Sequence, residues 1–344
     1  MATALNTPAG RQSQQQSLQR FYLPELDGLR FFAFLAVFIC HVGPDVTLFQ
    51  MGTFGVDLFF ALSAYLITEL LVREKDRFGT LDIRSFYVRR ALRIWPLYFT
   101  FLAVTFFASS IPWPYFVFCS AFLGNFGFAF MGEPSNIIFP LWSVSVEEQF
   151  YVLWPWAVRR FDRRGLAIIA AVLWSISICF RYIVRTHPAV YLYCTLGRLD
   201  SIAAGILVSC LLTRHRLTLT PLIRTVLCLA GGYLWLAAGV CAKAGSITPV
   251  YALVAVGCGA FLVGIIGSSG WMQNPILVYL GRISYGLYVF HCTALIFARA
   301  AVPGLAIPVA AVLTVTLAFA SYRWLETPFL RLKKRFEHLS SRPV

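Results

Sequence analysis

The chain has 344 residues, of which 59% are hydrophobic and 13% are charged, and its mean hydropathy is +0.72. A soluble protein of this length carries about a quarter charged residues, so this composition excludes an ordinary soluble domain. The net charge of +14 also occurs in nucleic-acid-binding proteins, but the basic residues here stand in short segments between apolar runs, as the positive-inside rule describes. We therefore expect membrane lipids, and no nucleic acid, as partners.

Apolar runs of about the 20 residues that cross a bilayer recur along the chain. Because backbone polar groups inside lipid must be bonded within helices, these runs predict an all-α polytopic transmembrane bundle of about ten spanning helices. The predicted spans are residues 31–49, 53–72, 94–111, 138–158, 165–184, 189–211, 222–242, 248–268, 277–299 and 304–324. Seven Lys or Arg residues occupy 73–93 and none occupies 42–52, which predicts a cytoplasmic N-terminus.

The segment at about 113–137 is predicted to be a re-entrant or interfacial element rather than a further crossing. Counted as a crossing, it would place the basic cluster at 159–164 outside the cell and reverse the charge bias of everything that follows. Both termini are then cytoplasmic. The predicted domains are a disordered, glutamine-rich cytoplasmic tail at 1–22, a transmembrane domain at 23–328 and a basic cytoplasmic tail at 329–344.

The first predicted span contains the stretch LDGLRFFAFLAVFICH, in which every residue between Arg30 and His41 is apolar. These two residues are eleven positions apart, so a helix places them on nearly the same face, separated by roughly 16 Å along its axis. An imidazole buried in a membrane is a functional-site candidate, because its uncharged form can accept a proton. The alternative is a structural histidine that hydrogen-bonds to a neighbouring helix.

Three arginines, Arg89, Arg90 and Arg93, stand where the basic loop enters the third predicted span, in RRALRIWP. Residues three and four positions apart form one ridge on a helix. Such arginines commonly set the membrane topology and contact lipid headgroups. They can also bind a polyanion, because a guanidinium group can donate two parallel hydrogen bonds to a phosphate. Arg30 faces the same membrane surface. The alternative to a purely topological role is therefore one anion site formed by Arg30 together with these three arginines.

The stretch LWSVSVEEQFYVLWP places Glu147 and Glu148 inside a predicted span, with Ser145 and Tyr151 as neighbouring hydrogen-bonding residues. Two adjacent carboxylates cannot both face lipid, so they either join helices through polar contacts or belong to a site. A carboxylate bonded to one imidazole nitrogen stabilises positive charge when the other nitrogen takes a proton. We therefore hypothesise a dyad of Glu147 with His41.

Further polar residues lie in other predicted spans. Asp57 and Ser63 stand in the second span, and His291 is a second buried imidazole, for which ligand contact and helix bracing are equal alternatives. Arg198 and Asp200 are predicted to neutralise each other. The nine cysteines are scattered without a CxxC pair, which indicates small buried hydrophobic residues rather than disulfides or metal ligands, and we expect no metal.

The two long stretches quoted above occur in order with GVDLFFALSAYLI, GRLDSIAAG, GRISYGLYVFH and YRWLETPFLRLKK. Together these blocks resemble the acyltransferase-3 family of integral membrane O-acyltransferases over residues 23–334. The resemblance implies a ten-helix bundle that moves an acyl group, usually acetyl, from cytoplasmic acyl-CoA to a hydroxyl of an extracytoplasmic or lipid-linked glycan. One departure is Ala64, where glycine is usual, and we expect it to affect helix packing.

By the same resemblance, His41 is the expected catalytic residue and Glu147 belongs to the motif that Tyr151 closes. His41 would act as a general base supported by Glu147, with an acyl-histidine intermediate as the alternative. The nucleotide of the donor, acetyl-CoA, is expected on four arginines, Arg30, Arg89, Arg90 and Arg93. Residues expected to shape the site or contact substrate are Asp57, Ser63, Ser145, Glu148, Tyr151 and His291.

The resemblance indicates a multi-pass protein of the bacterial inner membrane. The acceptor stays open among an exopolysaccharide repeat unit, a lipopolysaccharide sugar, a peptidoglycan sugar and a macrolide hydroxyl. The sequence is also compatible with a homo-oligomer. The alternative function is a proton-coupled transporter that uses buried His41 and Glu147 as a relay, although the inverted repeats of many transporters are not visible.

Overall fold

Helices make up all the regular structure in the part of the chain that the computed structural model describes, which is residues 22–43, 51–109, 111–133, 137–212, 219–245 and 247–337. The all-α prediction is therefore confirmed for these residues. Of the predicted tail at 1–22, only Tyr22 lies within them. Of the predicted tail at 329–344, residues 329–337 are described, and they continue the helical conformation as far as Phe336.

The described residues form fifteen α-helices. They are α1 (Pro24–Val42), α2 (Phe54–Phe78), α3 (Ile83–Ala108), α4 (Trp113–Ser120), α5 (Gly124–Met131), α6 (Leu141–Arg160), α7 (Arg163–Ile183), α8 (Pro188–Tyr193), α9 (Leu199–Leu212), α10 (Pro221–Lys243), α11 (Ile247–Ile265), α12 (Pro275–Arg282), α13 (Ser284–Ala301), α14 (Ala306–Ala320) and α15 (Thr327–Lys333). A π-helix, Ser321–Glu326, joins α14 to α15. Single 3₁₀ turns precede α2, α9, α12 and α14.

Six helical segments of the described chain are long and apolar enough to cross a membrane. They are Met51–Phe78, Ile83–Ala108, Arg163–Ile183, Thr195–Leu212, Pro221–Lys243 and Pro303–Phe336. A seventh is counted if α12 and α13, which meet at a bend of 70°, form one broken span. The other predicted spans fall on α1 and α6, whose ionisable residues lower their hydropathy, and on α11, whose apolar part is short. The number ten therefore stays a prediction.

The segment at 113–137 contains two helices of eight residues each, α4 and α5. Eight residues of α-helix extend about 12 Å, whereas the hydrocarbon core of a bilayer is about 30 Å thick. The chain turns between the two helices at Phe122, whose φ of 54° lies in the left-handed region. The segment is therefore not a single spanning helix, and its re-entrant or interfacial position stays a prediction.

Five helices, α1, α2, α3, α6 and α13, surround the centre of the bundle. Helix α1 packs against α2 and α13, and α2 packs against α6. Small residues allow α9 to approach α2 closely, since a Cβ atom on Gly205 would lie 2.1 Å from the carbonyl oxygen of Ala61. Helix α3 reaches the same region through its contact with α6. These contacts bring the polar residues of α1, α2, α3, α6 and α13 into one interior.

Candidate active site

Two adjoining cavities, of about 670 and 700 Å³, lie between α1, α2, α3 and α6. Both are lined by Arg30, Ser63, Arg90, Arg93 and Tyr151. We call the combined space the basic cavity. Lys333 lines its first part and Glu147 its second. Three guanidinium groups and one ammonium group thus border a space that suits a phosphorylated ligand.

Aromatic rings hold Arg90 at the wall of the basic cavity. Its guanidinium carbon lies 5.8 Å from the ring centre of Phe86 and 5.9 Å from that of Tyr151, distances at which a ring face attracts a cation. The buried Nε of Arg90 has no hydrogen-bond partner among the described residues. A buried donor without a partner costs free energy, and an anion in the cavity would supply the missing acceptor.

The carboxylate of Glu147 is fixed in the basic cavity by two hydroxyl groups. Ser63 Oγ donates to Oε1 at 2.8 Å, and the Tyr151 hydroxyl donates to Oε2 at 3.0 Å. The positive charges of Arg30 and Arg90 also act on this carboxylate. Glu147 therefore offsets part of the charge of the arginines that surround it.

His41 lines a second cavity of about 670 Å³, which we call the histidine cavity. Its ring centre lies 5.1 Å from that of His291 and 5.9 Å from that of Phe139. The backbone carbonyl of His41 accepts a hydrogen bond from Arg299 at 3.0 Å. Much of the remaining lining is aromatic and consists of Phe139, Trp142, Tyr193, Tyr251 and Tyr288.

The basic cavity and the histidine cavity adjoin, because they share lining residues and are bordered by the same helices. From the basic cavity to the histidine cavity, these helices carry Arg30 and His41 on α1, Ser63 and Val56 on α2, Glu147 and Trp142 on α6, and Ser284 and His291 on α13. Val56 and Tyr288 line both cavities. The hydroxyl of Tyr288 forms a hydrogen bond of 2.7 Å with Ser143 Oγ, so Tyr288 is held between the two spaces.

The structure does not bring Glu147 to His41. Both carboxylate oxygens of Glu147 are bonded to hydroxyl groups, and the two residues line different cavities. The ring that faces His41 is the imidazole of His291. The hypothesised dyad is thus absent from this arrangement, because α6 presents Glu147 to α2 and to the arginines of the basic cavity.

The histidine cavity also contains Arg198, which the sequence pairs with Asp200. In the structure, Arg198 Nη1 lies 3.1 Å from Asp57 Oδ2, whereas Asp200 accepts from Arg181 at 2.6 Å. Ser201 Oγ also donates to Asp57, at 2.9 Å. Residues two positions apart on a helix do not face each other, so the predicted pair is wrong and each charge is neutralised from another helix.

Four predicted site residues line neither cavity: Asp57, which is bonded to Arg198 and Ser201, and Arg89, Ser145 and Glu148. Arg89 forms a buried ion pair with Glu74, with 3.0 Å between Nη2 and Oε2. Glu148 accepts a hydrogen bond from Trp95 Nε1 at 3.2 Å. Ser145 Oγ donates to a carbonyl of its own helix at 3.0 Å. Each of these side chains is engaged in contacts between or within helices.

Comparison with known families identifies the bundle that holds these cavities. The sequence profile described as "Acyltransferase domain" matches residues 23–323, a range that includes every lining residue from Arg30 to His291. The chain belongs to the acyltransferase-3 family. No solved structure matches it.

Relatives of this acyltransferase-3 chain are named for acetyl transfer. The O-acetyltransferase OatA of Staphylococcus aureus strain NCTC 8325 is 25% identical over 370 residues, which cover 94% of this chain and 59% of OatA. A protein of S. aureus strain COL, provisionally named an O-acetyltransferase, is 27% identical with the same coverage of 94% and 59%. YrhL of Bacillus subtilis strain 168, provisionally named a peptidoglycan O-acetyltransferase, is 32% identical over 46% of this chain and 27% of YrhL. The chain thus spans 59% of the length of the two staphylococcal relatives.

Two cavity residues of this acyltransferase-3 chain are missed by sequence reasoning. The sequence places Lys333 in a basic tail, but α15 packs against α3 and brings Lys333 to the basic cavity. Tyr288 precedes His291 by three positions on α13, a spacing that puts both on one face. That spacing is visible in GRISYGLYVFH and could have identified Tyr288, whereas nothing in the sequence separates Lys333 from the basic residues beside it.

We expect Arg89→Ala to destabilise the folded protein and Arg90→Ala to leave its stability nearly unchanged. Loss of Arg89 leaves the Glu74 carboxylate buried without its counter-charge, at a cost of about 3–5 kcal/mol, whereas Arg90 borders an open cavity. Thermal unfolding of the detergent-purified variants measures the difference. The double variant Arg89→Met with Glu74→Met removes both charges and should recover most of the stability. Equal melting temperatures for Arg89→Ala and the wild type would contradict this ion pair.

Proposed function

We propose that this protein transfers an acyl group, acetyl in the simplest case, from acyl-CoA to a hydroxyl of a glycan or a lipid-linked sugar. One observation carries the proposal: inside an acyltransferase-3 chain, a cavity lined by three arginines and a lysine adjoins a cavity that contains His41. The first cavity suits a phosphorylated donor. The second suits an acceptor whose hydroxyl must lose a proton.

The phosphates of the donor would bind Arg90 and Arg93. They would also bind Arg30 and Lys333 in competition with Asp27 and Glu337, whose carboxylates lie 3.6 Å from Arg30 and 3.1 Å from Lys333. Charge-assisted hydrogen bonds of this kind contribute about 1.5–3 kcal/mol each. The unpartnered Nε–H of Arg90 supports an anion at this position. The prediction that Arg89 binds acyl-CoA gains no such support, because its guanidinium already forms a buried ion pair with Glu74.

The thioester would reach the histidine cavity past Tyr288. The pantetheine arm of CoA is about as long as the axial separation of Arg30 and His41, which is roughly 16 Å on one helix. Tyr288 lines both spaces and bonds to Ser143, so a rotation that breaks this bond would widen the connection between them. The donor would then keep its nucleotide among the arginines and present its thioester near His41.

His41 would act as the general base. Its uncharged imidazole takes the proton of the acceptor hydroxyl while the hydroxyl oxygen attacks the thioester carbonyl. A C–O bond forms, the C–S bond breaks, and the imidazolium returns its proton to the CoA thiolate. The competing mechanism is an acyl-histidine intermediate, in which His41 itself attacks the thioester.

The acceptor would bind in the histidine cavity. Its aromatic lining offers ring faces to the C–H side of a sugar and tyrosine hydroxyls to the polar edge of that sugar. YrhL, one relative, is provisionally named for peptidoglycan. A peptidoglycan sugar is therefore the first acceptor to test, followed by exopolysaccharide and lipopolysaccharide sugars.

We propose ten crossings of the bacterial inner membrane with both termini in the cytoplasm. The six apolar segments, the bent α12–α13 pair and helices α1, α6 and α11 together give this number. The basic cavity borders Arg90 and Arg93, which belong to the basic segment 73–93 that joins α2 to α3. With that segment in the cytoplasm, the basic cavity would open toward the compartment that supplies acyl-CoA.

Transfer of a radiolabel tests the proposed function. Purified protein in proteoliposomes, given acetyl-CoA labelled in the acetyl group and soluble glycan fragments, should move label to the glycan and release CoA. Family membership favours this outcome over a proton-coupled transporter, which would release no CoA. Absence of both label transfer and CoA release with peptidoglycan and with polysaccharide fragments would contradict the proposal.

The variant His41→Ala should abolish transfer while the protein remains folded, because the acceptor hydroxyl loses its base. The initial rate of label transfer measures the effect. His187→Ala is the matched control, since His187 is an exposed histidine outside both cavities and should leave the rate unchanged. Retention of more than about a tenth of the wild-type rate by His41→Ala would remove His41 from the role of base.

The variants Arg90→Ala and Arg93→Ala should each weaken binding of acyl-CoA by roughly 10- to 150-fold, the equivalent of one charge-assisted bond. Equilibrium binding of labelled CoA measures this loss, and the loss should be smaller for a CoA analogue that lacks the ribose 3′-phosphate. Arg160→Ala, at the exposed end of α6, is the control and should bind CoA normally. If all three variants bind CoA with wild-type affinity, the arginines of α3 serve topology alone.

The variant Glu147→Gln should lower the KM for acyl-CoA by up to about tenfold and change kcat less, because it removes a negative charge that competes with the donor phosphates for Arg30 and Arg90. Steady-state kinetics with varied acyl-CoA separate the two parameters. Glu148→Gln is the control and should have little effect on KM, since Glu148 lines neither cavity. A fall in kcat at unchanged KM would instead support a dyad of Glu147 with His41 during turnover.

A further inference from the structure

The two histidines of the histidine cavity and the buried Cys292 beside them bring three metal-binding atoms together. One ring nitrogen of His41, one of His291 and the sulfur of Cys292 all lie within 4.8 Å of one another. We propose that these three side chains form a binding site for Zn²⁺. The spacing of the cysteines in the sequence predicts no such site, because His41 and Cys292 belong to different helices, α1 and α13.

The hydrogen bond from Nδ1 of His291 leaves the nitrogen that would bind a metal ion unprotonated. Nδ1 of His291 lies 2.5 Å from the carbonyl oxygen of Tyr288. A carbonyl oxygen can only accept, so Nδ1 carries the proton and Nε2 keeps its lone pair. Nε2 accepts a hydrogen bond from the Cys292 thiol at 3.3 Å, and loss of the thiol proton on metal binding would make both atoms available as ligands. A metal-ligating histidine that donates its other N–H to a backbone carbonyl is the usual arrangement at metal sites.

The spacing of the three atoms requires only a small adjustment to accept Zn²⁺. Tetrahedral zinc with nitrogen at about 2.0 Å and sulfur at about 2.3 Å holds its ligand atoms roughly 3.3–3.7 Å apart. The separation of 4.8 Å or less can close to that range through side-chain rotation. His41 and His291 border a cavity of about 670 Å³, which provides access and leaves a fourth coordination position for water or a ligand.

The charges around the site permit a cation. Binding converts the Cys292 thiol to a thiolate and releases one proton to solvent, so the ligand set of two neutral imidazoles and one thiolate offsets half the charge of Zn²⁺. Arg198, in the same cavity, is neutralised by Asp57. Arg299, which donates to the carbonyl of His41, is an exposed side chain in the last turn of α13 and directs its guanidinium to a backbone oxygen rather than to the three ligand atoms.

Zinc at this site would inhibit the proposed reaction, and this consequence rests on the proposed function. Coordination occupies the lone pair with which His41 would take the proton of the acceptor. Micromolar Zn²⁺ would then stop acyl transfer reversibly, and a chelator would restore it. The metal site itself requires only the geometry of the three ligands, so binding can be tested separately from transfer.

Cobalt provides the test of binding, because Co²⁺ accepts the same nitrogen and sulfur ligands as Zn²⁺ and absorbs light when bound to a thiolate. Chelator-treated protein in detergent is titrated with Co²⁺, and Zn²⁺ is then added. We expect one thiolate-to-cobalt absorption band per chain, which Zn²⁺ abolishes. Cys292→Ser should lose the band, and His291→Ala should weaken metal binding by at least about 100-fold. Cys179→Ser, which removes an exposed cysteine on α7, is the matched control and should keep the absorption band and the wild-type affinity for metal.

Inhibition is measured on the same proteins, with each rate normalised to that of the same variant without metal. Zn²⁺ should inhibit the wild type and Cys179→Ser, whereas Cys292→Ser should need at least about 100-fold more Zn²⁺. Melting temperatures show whether each variant is folded. If Cys292→Ser does not fold, His291→Ala is used in its place. A band that persists in Cys292→Ser, or no band in the folded wild type, would overturn the metal site. Binding that leaves transfer unaffected would uphold the site and contradict the role of His41 as base.

Discussion

Ionisable side chains inside an apolar helix bundle must find partners within the protein, because water does not solvate them there. Arg181 with Asp200 and Arg198 with Asp57 meet this requirement through buried ion pairs that join neighbouring helices. These pairs hold α7, α9 and α2 in fixed positions beside the cavities. At the basic cavity, Arg30 pairs with Asp27 of its own helix, whereas the buried Nε of Arg90 has no partner among the described residues, and a bound anion would supply one.

Helices α1 and α13 both run from the basic cavity to the histidine cavity. On α1, Arg30 lies at the basic cavity and His41 at the histidine cavity. On α13, Ser284 and His291 occupy the corresponding positions, and Tyr288 stands between them. The packing of α1 on α13 therefore places the arginines of the basic cavity and a pair of imidazoles at opposite ends of these two helices. The same packing brings Cys292 to His41.

The arginines of α3 illustrate how far sequence reasoning reaches in the site. Arg89 and Arg90 are adjacent and chemically identical, and the sequence assigns both to the donor. Successive residues on a helix point about 100° apart, so one of them meets Glu74 and the other faces the cavity. Which of the two faces the cavity depends on the rotation of α3 about its axis, and that rotation is decided by packing against other helices.

Composition and local periodicity determined the class of this protein: a multi-pass membrane protein, all-helical where its structure is described, with Arg30 and His41 on one helix face. These features follow from the sequence because hydropathy and helical geometry act over a few turns of one helix. Tertiary structure alone decided that Glu147 meets Ser63, 84 positions earlier in the chain, and that His41 meets His291. Contacts between helices depend on how each helix is rotated and how closely it packs against its neighbours, and neither quantity can be read from the spacing of residues within one helix.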